Sequence, residues 1–521
     1  MMIKNILSIT AMLVAITASA QNDSLMNHGR YDYELSKSAW QGSNNAASLS
    51  LQNHINFGKA YFNYSHKGGD FYRVQEGDMN NRLQFFTESW QKLGKYLYAY
   101  GKFDFNTGRT KNRSWTDVMR PYNSNPYFSG SGIKASYEEQ NINLTAAIGS
   151  VELMNGWRFG AKLDYNLGDL SRLRDPRSRS QLLNYKLTPA ITYSTGNNII
   201  GIAGWYNRRK EKISNVTTVD NTTKKIYYLM YGLENAVGSM GGSSGYQREW
   251  VNHEFGAELS YGYNNYNYNN MTAVSIARGS EGVYGQYKYQ PGHYYTYNYA
   301  FKSQHRYRSS ETTLHQLDLY GSYTEGYANE YRQQLVVTTD PSTGYNSYRY
   351  DNQLTYNKRY QVKLFDANFH YRFNKVANKE IPMFVGILAS LKQVNNKYLL
   401  NTSTLKYSNV DVTLENGWNF SNIGFSTTIQ LGYNNSTKST LELADPTTDY
   451  AQNVLIPDMD ILGASYAHGY LELMYQRPIS IKGMRSNWFI KGYGNLAISN
   501  KKISDEKLKR YNVGLSIGVF Y

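Results

Sequence analysis

A period of two in hydropathy, sustained for longer than a soluble strand needs, sets the narrowest limit on what this chain can become. Trp157, Phe159, Ala161, Leu163, Tyr165 and Leu167 are apolar, while Arg158, Gly160, Lys162, Asp164 and Asn166 between them are polar or small. Successive side chains of a strand point to opposite faces, so this run carries one greasy face and one hydrophilic face. A second run sets Ile423, Phe425, Thr427, Ile429, Leu431 and Tyr433 against Gly424, Ser426, Thr428, Gln430, Gly432 and Asn434. A bilayer-crossing strand needs roughly 9–11 residues of such alternation, whereas strands of a soluble sandwich are more often about five or six residues long. Similar patterns occupy Leu183 to Tyr193, Phe255 to Tyr263 with Glu254 and Glu258 opposed, Tyr295 to Phe301, and Trp488 to Ile498. Between Phe365 and Phe373 the opposed residues are Asp366, Asn368, His370 and Arg372. Just before it, Tyr360, Val362 and Leu364 are apolar on the other parity, which predicts a bulge between Leu364 and Phe365.

Only apolar helices or a closed barrel satisfy every backbone polar group inside lipid. Beyond residue 20 the chain has no apolar window of about eighteen residues, which excludes the helical solution. The 51 tyrosines take much of the role that Leu, Ile and Val play in soluble cores, as suits a surface meeting both headgroups and water. A secreted sandwich or carbohydrate-binding protein shares that excess, so the alternation decides and the composition does not. At the start, Lys4 and Asn5 precede the apolar run Ile6 to Ile16 and then Thr17-Ala18-Ser19-Ala20 before Gln21. This pattern predicts a signal peptide over residues 1–20. The absence of cysteine excludes a lipid-anchoring thiol, a disulfide framework and cysteine metal ligands. The formal charge of +15 is spread along the chain, and nucleic acid is not an expected partner.

Together these readings predict an all-β fold: a transmembrane antiparallel up-and-down barrel of about 18 strands, within a range of roughly 16–20. The strands centre near residues 59, 86, 100, 144, 162, 188, 203, 257, 274, 298, 318, 367, 386, 411, 428, 472, 493 and 515. Residues 21–48 read as a periplasmic N-terminal segment and candidate lumen filler, and 49–521 as the barrel. An even count puts both ends of the barrel on the periplasmic side. Short links fall there at Leu93-Gly94, Asn155-Gly156, Gly196-Asn197-Asn198 and Gly417-Trp418. The long links, 107–130, 169–182, 208–250, 326–357 and 436–465, then fall outside. In the last segment Tyr511, Val513, Leu515, Ile517, Val519 and Tyr521 alternate with Asn512, Gly514, Ser516, Gly518 and Phe520. A terminal strand ending on an aromatic is similar to the signal read by the barrel-assembly machinery of the outer membrane.

The chain resembles an uncharacterised family of large outer-membrane barrels of Bacteroidota found alongside TonB-dependent receptors and surface lipoproteins. The resemblance rests on the A-S-A-Q processing site, the richness in tyrosine and asparagine, the stretch G-W-R-F-G-A-K-L-D-Y at 156–165, and the run from Asp175 through Leu187 to R-R-K-E at 208–211. It implies an outer-membrane location and a part in nutrient uptake, with a TonB-dependent receptor and a lipoprotein as candidate partners. It implies no catalytic residues and no cofactor. About 28 residues precede the first expected strand after processing, too few for the globular plug of a TonB-dependent receptor, which argues against active transport by this chain alone.

A barrel of this size has a lumen wide enough for water unless something fills it. The inward polar residues are Arg158, Lys162, Asp164, Glu254, Glu258, Asp318, Asp366, Arg372 and Lys491, joined by Lys102, Lys186 and Asp104. They either line a channel or pair with one another and with an inserted segment, and pairing is the commoner fate of such groups. The candidate inserted segments are residues 21–48 and the loop 208–250, in which Tyr227 to Leu233 can fold inward and Gly238 to Gly245 is flexible. Arg172, Arg174, Arg177, Arg179, Arg208 and Arg209 lie in basic links where lipopolysaccharide phosphates are expected, and arginine suits phosphate contacts. The nine histidines show no metal-binding spacing, and no nucleophile elbow or phosphate loop occurs. The competing functions are a hydrolase acting on lipid or peptide, for which His315 near Asp318 or His370 near Asp366 are the candidates, and a sealed barrel anchoring a surface or secretion assembly. The stretch N-N-Y-N-Y-N-N at 264–270 reads as a solvated turn.

Overall fold

The computed structural model describes residues 25–52, 55–119, 124–219, 226–240, 246–400, 402–481, 484–503 and 506–521. The expected signal peptide and Gly241 to Gly245 lie outside them. In chain order the strands are β1 (Phe57–Gly69), β2 (Met79–Leu93), β3 (Leu97–Arg113), β4 (Ser129–Gly130), β5 (Ala135–Ser150), β6 (Trp157–Arg172) and β7 (Arg177–Thr195). Next come β8 (Asn198–Thr217), β9 (Ile226–Gly232), β10 (Asn235–Met240), β11 (Tyr246–Asn264), β12 (Tyr268–Tyr284), β13 (Gly292–Ser310) and β14 (Thr313–Thr339). The rest are β15 (Asn346–Ala377), β16 (Glu380–Tyr398), β17 (Ser403–Phe420), β18 (Phe425–Glu442), β19 (Tyr466–Ile481), β20 (Met484–Ile503) and β21 (Glu506–Phe520). Among the described residues three short α-helices accompany them, α1 (His28–Ser36), α2 (Leu49–Gln52) and α3 (Ile456–Leu462).

Eighteen of the strands form one antiparallel sheet in which each pairs with the next, and β1 pairs with β21 to close it into a barrel. The other three, β4, β9 and β10, form a small sheet of their own. Each of the eighteen expected strand centres falls in a different barrel strand. The alternation sets the orientation of the wall: Phe62, Leu83, Ile148, Phe255, Leu259 and Val274 are exposed on its outside, while Asn63, Thr188, Glu258 and Ser516 are buried within. In the closing strand Tyr511, Val513, Leu515 and Ile517 face out, and Phe520 is buried inside. Val519 pairs with Ala60 at the seam, and the Tyr521 carbonyl accepts from the Gly58 amide at 2.8 Å.

One mouth has short turns, such as 94–96, 196–197, 265–267 and 378–379. Gly94 and Gly196 sit there at φ +62° and +56°, a left-handed backbone that other residues adopt at a cost. The Asn-rich stretch makes the 265–267 turn, with Asn265 Oδ1 accepting from the amides of Asn267 and Tyr268. The opposite mouth carries the longer links 114–134, 218–245 and 443–465.

Three expectations need correction. The links 169–182, 208–250 and 326–357 are largely strand: β6, β7 and β8 run on past the apolar band, and β14 and β15 continue as a two-stranded ribbon to the turn at 340–345. Gly417-Trp418 is not a turn, because both residues lie within β17. A Cβ on Gly417 would stand 2.1 Å from the Phe384 ring, so this glycine makes room for an aromatic side chain, and the chain turns at 421–424 instead. No bulge separates Leu364 from Phe365, since the ladder with β16 runs unbroken from Tyr360 to Lys375. Tyr360 and Val362 are buried on the inner face because that stretch of the lumen is itself apolar. The register shifts on β15 lie elsewhere: against β14 between Tyr360 and Tyr356 and between Leu354 and Asn352, and against β16 between Lys375 and Ala377.

Candidate functional site

The lumen holds two insertions, one at each mouth. At the short-turn mouth the N-terminal segment enters with Asn27, whose side chain accepts from the Arg30 amide at 2.9 Å and caps α1. The helix buries Tyr31 against Phe57 and Phe520, with ring centroids 5.6 and 5.4 Å away. The Tyr31 hydroxyl donates to Glu88 at 2.5 Å; burial first, and then this carboxylate, hold its phenol well above the ordinary tyrosine range, so it stays a donor. Beyond α1 the chain reaches the far wall, where Trp40 is 1% exposed and packs with Ile199, Met271 and Ala273. Asn44 donates to Glu258 at 3.0 Å, and Asn45 to the Ile191 carbonyl at 3.0 Å.

Glycines in the wall make room for this crossing. A Cβ on Gly160 would lie 2.3 Å from the Ala47 amide nitrogen, and one on Gly149 would lie 2.3 Å from the Ala46 carbonyl oxygen. The segment extends through α2, and the first strand begins only at Phe57.

The long-loop mouth is filled by an apolar cap. Trp115 and Tyr127 from the 114–134 link, Tyr227, Met230 and Leu233 from the β9–β10 hairpin, and Tyr450, Val454 and Leu455 from the 443–465 link form one cluster with the wall residues Trp250, Tyr294, Ala328 and Val362. Polar contacts lock it. Tyr127 donates to the Asn329 carbonyl at 2.7 Å, Arg248 reaches the Phe128 carbonyl at 3.3 Å, and Trp250 donates to the Tyr127 carbonyl. Burial holds the Tyr450 phenol far above its ordinary range, and Gln75 donates to it at 3.1 Å.

Between the insertions stands a polar wall whose charges are mostly paired. Arg158 meets Glu152 at 2.8 Å, Lys162 meets Asp164 at 3.3 Å, Arg306 meets Asp318 at 2.7 Å and Lys491 meets Glu472 at 3.2 Å. Glu254 accepts from the Trp205 indole at 3.1 Å, and Lys186 lies 4.2 Å from that ring's centroid. Asp104 accepts from Gln84 at 3.1 Å. Arg372 lies 3.5 Å from Glu415 and stacks over Phe384. Lys102 lines a cavity of about 500 Å3 between the N-terminal segment and the wall. Asp366 lines a second cavity, under the cap.

The proposed histidine pairs do not form. His315 hydrogen-bonds Tyr371 and Ser309 on the outer face, while Asp318 faces the lumen with Arg306. His370 engages Glu415 at 2.7 Å rather than Asp366. Among the described residues, no group of three His, Asp or Glu is placed to hold a metal ion. The alternation missed Glu415, which also contacts Arg372, because the turn expected at Gly417 broke its strand. It missed Lys59, paired with Glu88 at 3.2 Å, because its strand carries a less regular pattern.

The basic links divide. Arg172 is buried, donating to the Tyr137 hydroxyl at 2.7 Å and the Arg174 carbonyl at 2.9 Å, with Asp117 at 3.9 Å. Arg209 is held inside by Glu281. Neither reaches a headgroup, because odd and even positions of a strand take opposite faces and both fall on the inner one. Arg179 and Arg177 stand outside, paired with Asp169 at 2.6 Å and Asp175 at 3.0 Å. Arg174 donates to the exposed Lys134 carbonyl, and Arg208 sits opposite Tyr185 and His253.

Residues 46–521 match the model of a family described as "Family of unknown function (DUF6850)". The chain belongs to this family. The DUF6850 match spans the whole barrel and begins at Ala46, where the N-terminal segment passes Gly149. No curated protein matches the chain. Among solved structures, the DUF6850 chain is similar to the outer membrane transporter YddB from Escherichia coli, at 8% identity and a TM-score of 0.43, covering 90% of this chain and 81% of that one. It is also similar to the FrpB iron transporter from Neisseria meningitidis, at 10% identity and a TM-score of 0.39, covering 92% and 83%. A Pseudomonas aeruginosa FadL homologue follows, at 10% identity and a TM-score of 0.34, covering 96% and 99%. At such identities the likeness extends to the barrel and to nothing of substrate or partner. The fold of this DUF6850 member is an outer-membrane-type β-barrel with no helix long and apolar enough to cross a membrane among its described residues.

Proposed function

We propose that this protein is a gated, non-enzymatic channel of the outer membrane that serves nutrient uptake, with the N-terminal segment as its periplasmic gate. The observation that carries this reading is how that segment is held. It lies in glycine slots of the wall and is tied by hydrogen bonds such as Asn44 to Glu258 and Lys302 to the Gly42 carbonyl at 2.9 Å. Contacts of this kind exchange readily with water once a segment moves, and the wall behind it is polar and cavity-bearing, as a solute path requires. In this reading the signal peptide over 1–20 directs export, the β21 pattern ending at Tyr521 is read by the assembly machinery, and Arg174, Arg177, Arg179 and Arg208 meet lipopolysaccharide phosphates. A TonB-dependent receptor and its lipoprotein are the proposed partners.

The absence of cysteine makes the test direct. In a Lys102→Cys variant of the full chain, labelling by an impermeant maleimide from the short-turn side should be slow, and adding Trp40→Ala should speed it by about tenfold or more. The unaltered protein should pass no steady current in a planar bilayer. A steady open-pore current, or labelling that ignores Trp40→Ala, overturns the gate.

A further inference from the structure

A second cavity, of about 240 Å3, lies beneath the cap where four links, 70–78, 114–134, 218–245 and 443–465, meet β15, β16 and β17. It is smaller than the roughly 300–1,000 Å3 typical of drug-sized ligands, so its occupant is a small molecule. One side is apolar, built from Leu364, Val394, Leu405 and Leu455. Set into the wall beside them are two opposite charges, Asp366 on β15 and Lys392 on β16, which are direct partners in the strand register and both face this space. Side chains so placed have Cβ atoms about 5 Å apart, within reach of an ion pair. Elsewhere on the lumen wall such partners are engaged: Lys59 closes on Glu88 at 3.2 Å, while Asp164 and Lys186, also register partners, take Lys162 at 3.3 Å and the Trp205 ring instead. Asp366 and Lys392 form no ion pair and no hydrogen bond with each other or with any other described residue. Two further charged residues line the cavity from the links: Arg73, whose guanidinium meets Glu76 at 2.6 Å, and Asp458, which accepts from the Val74 amide at 2.7 Å.

We infer that this cavity binds a small zwitterion with an apolar side chain, of the α-amino acid class, its ammonium on Asp366, its carboxylate on Lys392 and its side chain against Leu364, Val394 and Leu405. The opposite charges of Asp366 and Lys392 select against each simpler ligand. A plain carboxylate leaves Asp366 facing like charge, and a plain amine does the same to Lys392. The apolar wall favours a branched or linear aliphatic chain over a charged one. This site stands whether or not the barrel conducts, so its failure and that of the gate are read separately.

The test is calorimetric titration of the full-length protein in detergent with L-leucine, 4-methylpentanoate, which lacks the amine, and 3-methylbutylamine, which lacks the carboxylate. L-Leucine should bind, and each analogue should bind about tenfold more weakly or worse, the equivalent of one charged hydrogen bond. Asp366→Asn should remove the discrimination against 4-methylpentanoate, and Lys392→Met that against 3-methylbutylamine. The exchanged variant Asp366→Lys with Lys392→Asp should still bind L-leucine, because the ligand can reverse, and it guards against a trivial loss of folding. No heat with L-leucine on the unaltered protein, analogues that bind equally well, or single variants that leave the discrimination intact overturn the site.

Discussion

Arg172 and Arg179 are the same side chain on neighbouring strands, yet the wall assigns them opposite roles. Ser171 is the register partner of Arg179, so one step along the backbone carries Arg172 to the inner face. There its guanidinium serves Tyr137, Ile133 and Arg174 within a buried network that includes Asp117. Asp117 also accepts from Tyr137 at 2.6 Å and from Ser178 at 2.7 Å, so it keeps two donors if Arg172 is lost but not its countercharge. Arg172→Ala should therefore destabilise the protein by about 3–5 kcal/mol, as breaking a buried pair does. Arg179→Ala removes a pair whose arginine is 62% exposed and should cost about 1 kcal/mol or less. Thermal unfolding in one detergent would compare them, and equal losses would contradict the assignment of faces. In the sequence both arginines read alike, because parity assigns a face only once the extent of the strand is known. The same holds for His370. Its inward face was legible, but its partner Glu415 comes from a strand 45 residues on, and nothing local points to it.

At the scale of elements, the alternation located all eighteen barrel strands because lipid demands one apolar face at every crossing. It could not locate their outer ends, because beyond the membrane that demand lapses while hydrogen bonding continues. β14 and β15 show this most clearly, their ladder running on from Glu330 and Tyr356 to Thr339 and Asn346. Two paired strands alone are marginally stable in water. This ribbon is braced midway by Tyr289 against Tyr350 and further out by Tyr287 stacked on Tyr348, with ring centroids 5.1 and 4.7 Å apart. Hydrogen exchange should thus rise along the ribbon. Amides from Leu335 to Thr339 should exchange orders of magnitude faster than those from Leu317 to Tyr323 in the same strand. Uniform protection along β14 would mean that the ribbon is covered by another surface.

Taken whole, the molecule is a cylinder with a largely polar lumen and an insertion seated at each end. The cap is an apolar cluster with locked tyrosines, whereas the N-terminal segment adds backbone fit in glycine slots and hydrogen bonds to the packing of Tyr31 and Trp40. Alternation could mark Gly160 as inward and small, but not that another stretch of backbone would press against it, since that contact joins residues far apart in sequence. Gly160→Val should dislodge the segment, because the new Cβ and its methyl groups would occupy the position of the Ala47 amide. Gly101→Val, on the outer face where a Cβ meets nothing within 4 Å, is the control and should leave the segment in place. In the proposed channel the two stops lie in series, so a solute would have to pass both, and freeing one would leave the other as the dominant resistance. Gly160→Val alone should therefore expose Lys102→Cys to labelling without giving a steady current. Joined to Tyr127→Ala, which removes a cap hydroxyl anchored at 2.7 Å to the Asn329 carbonyl, it should conduct. A steady current from Gly160→Val by itself would mean that the cap leaves an open path, and the N-terminal segment would then be the only stop.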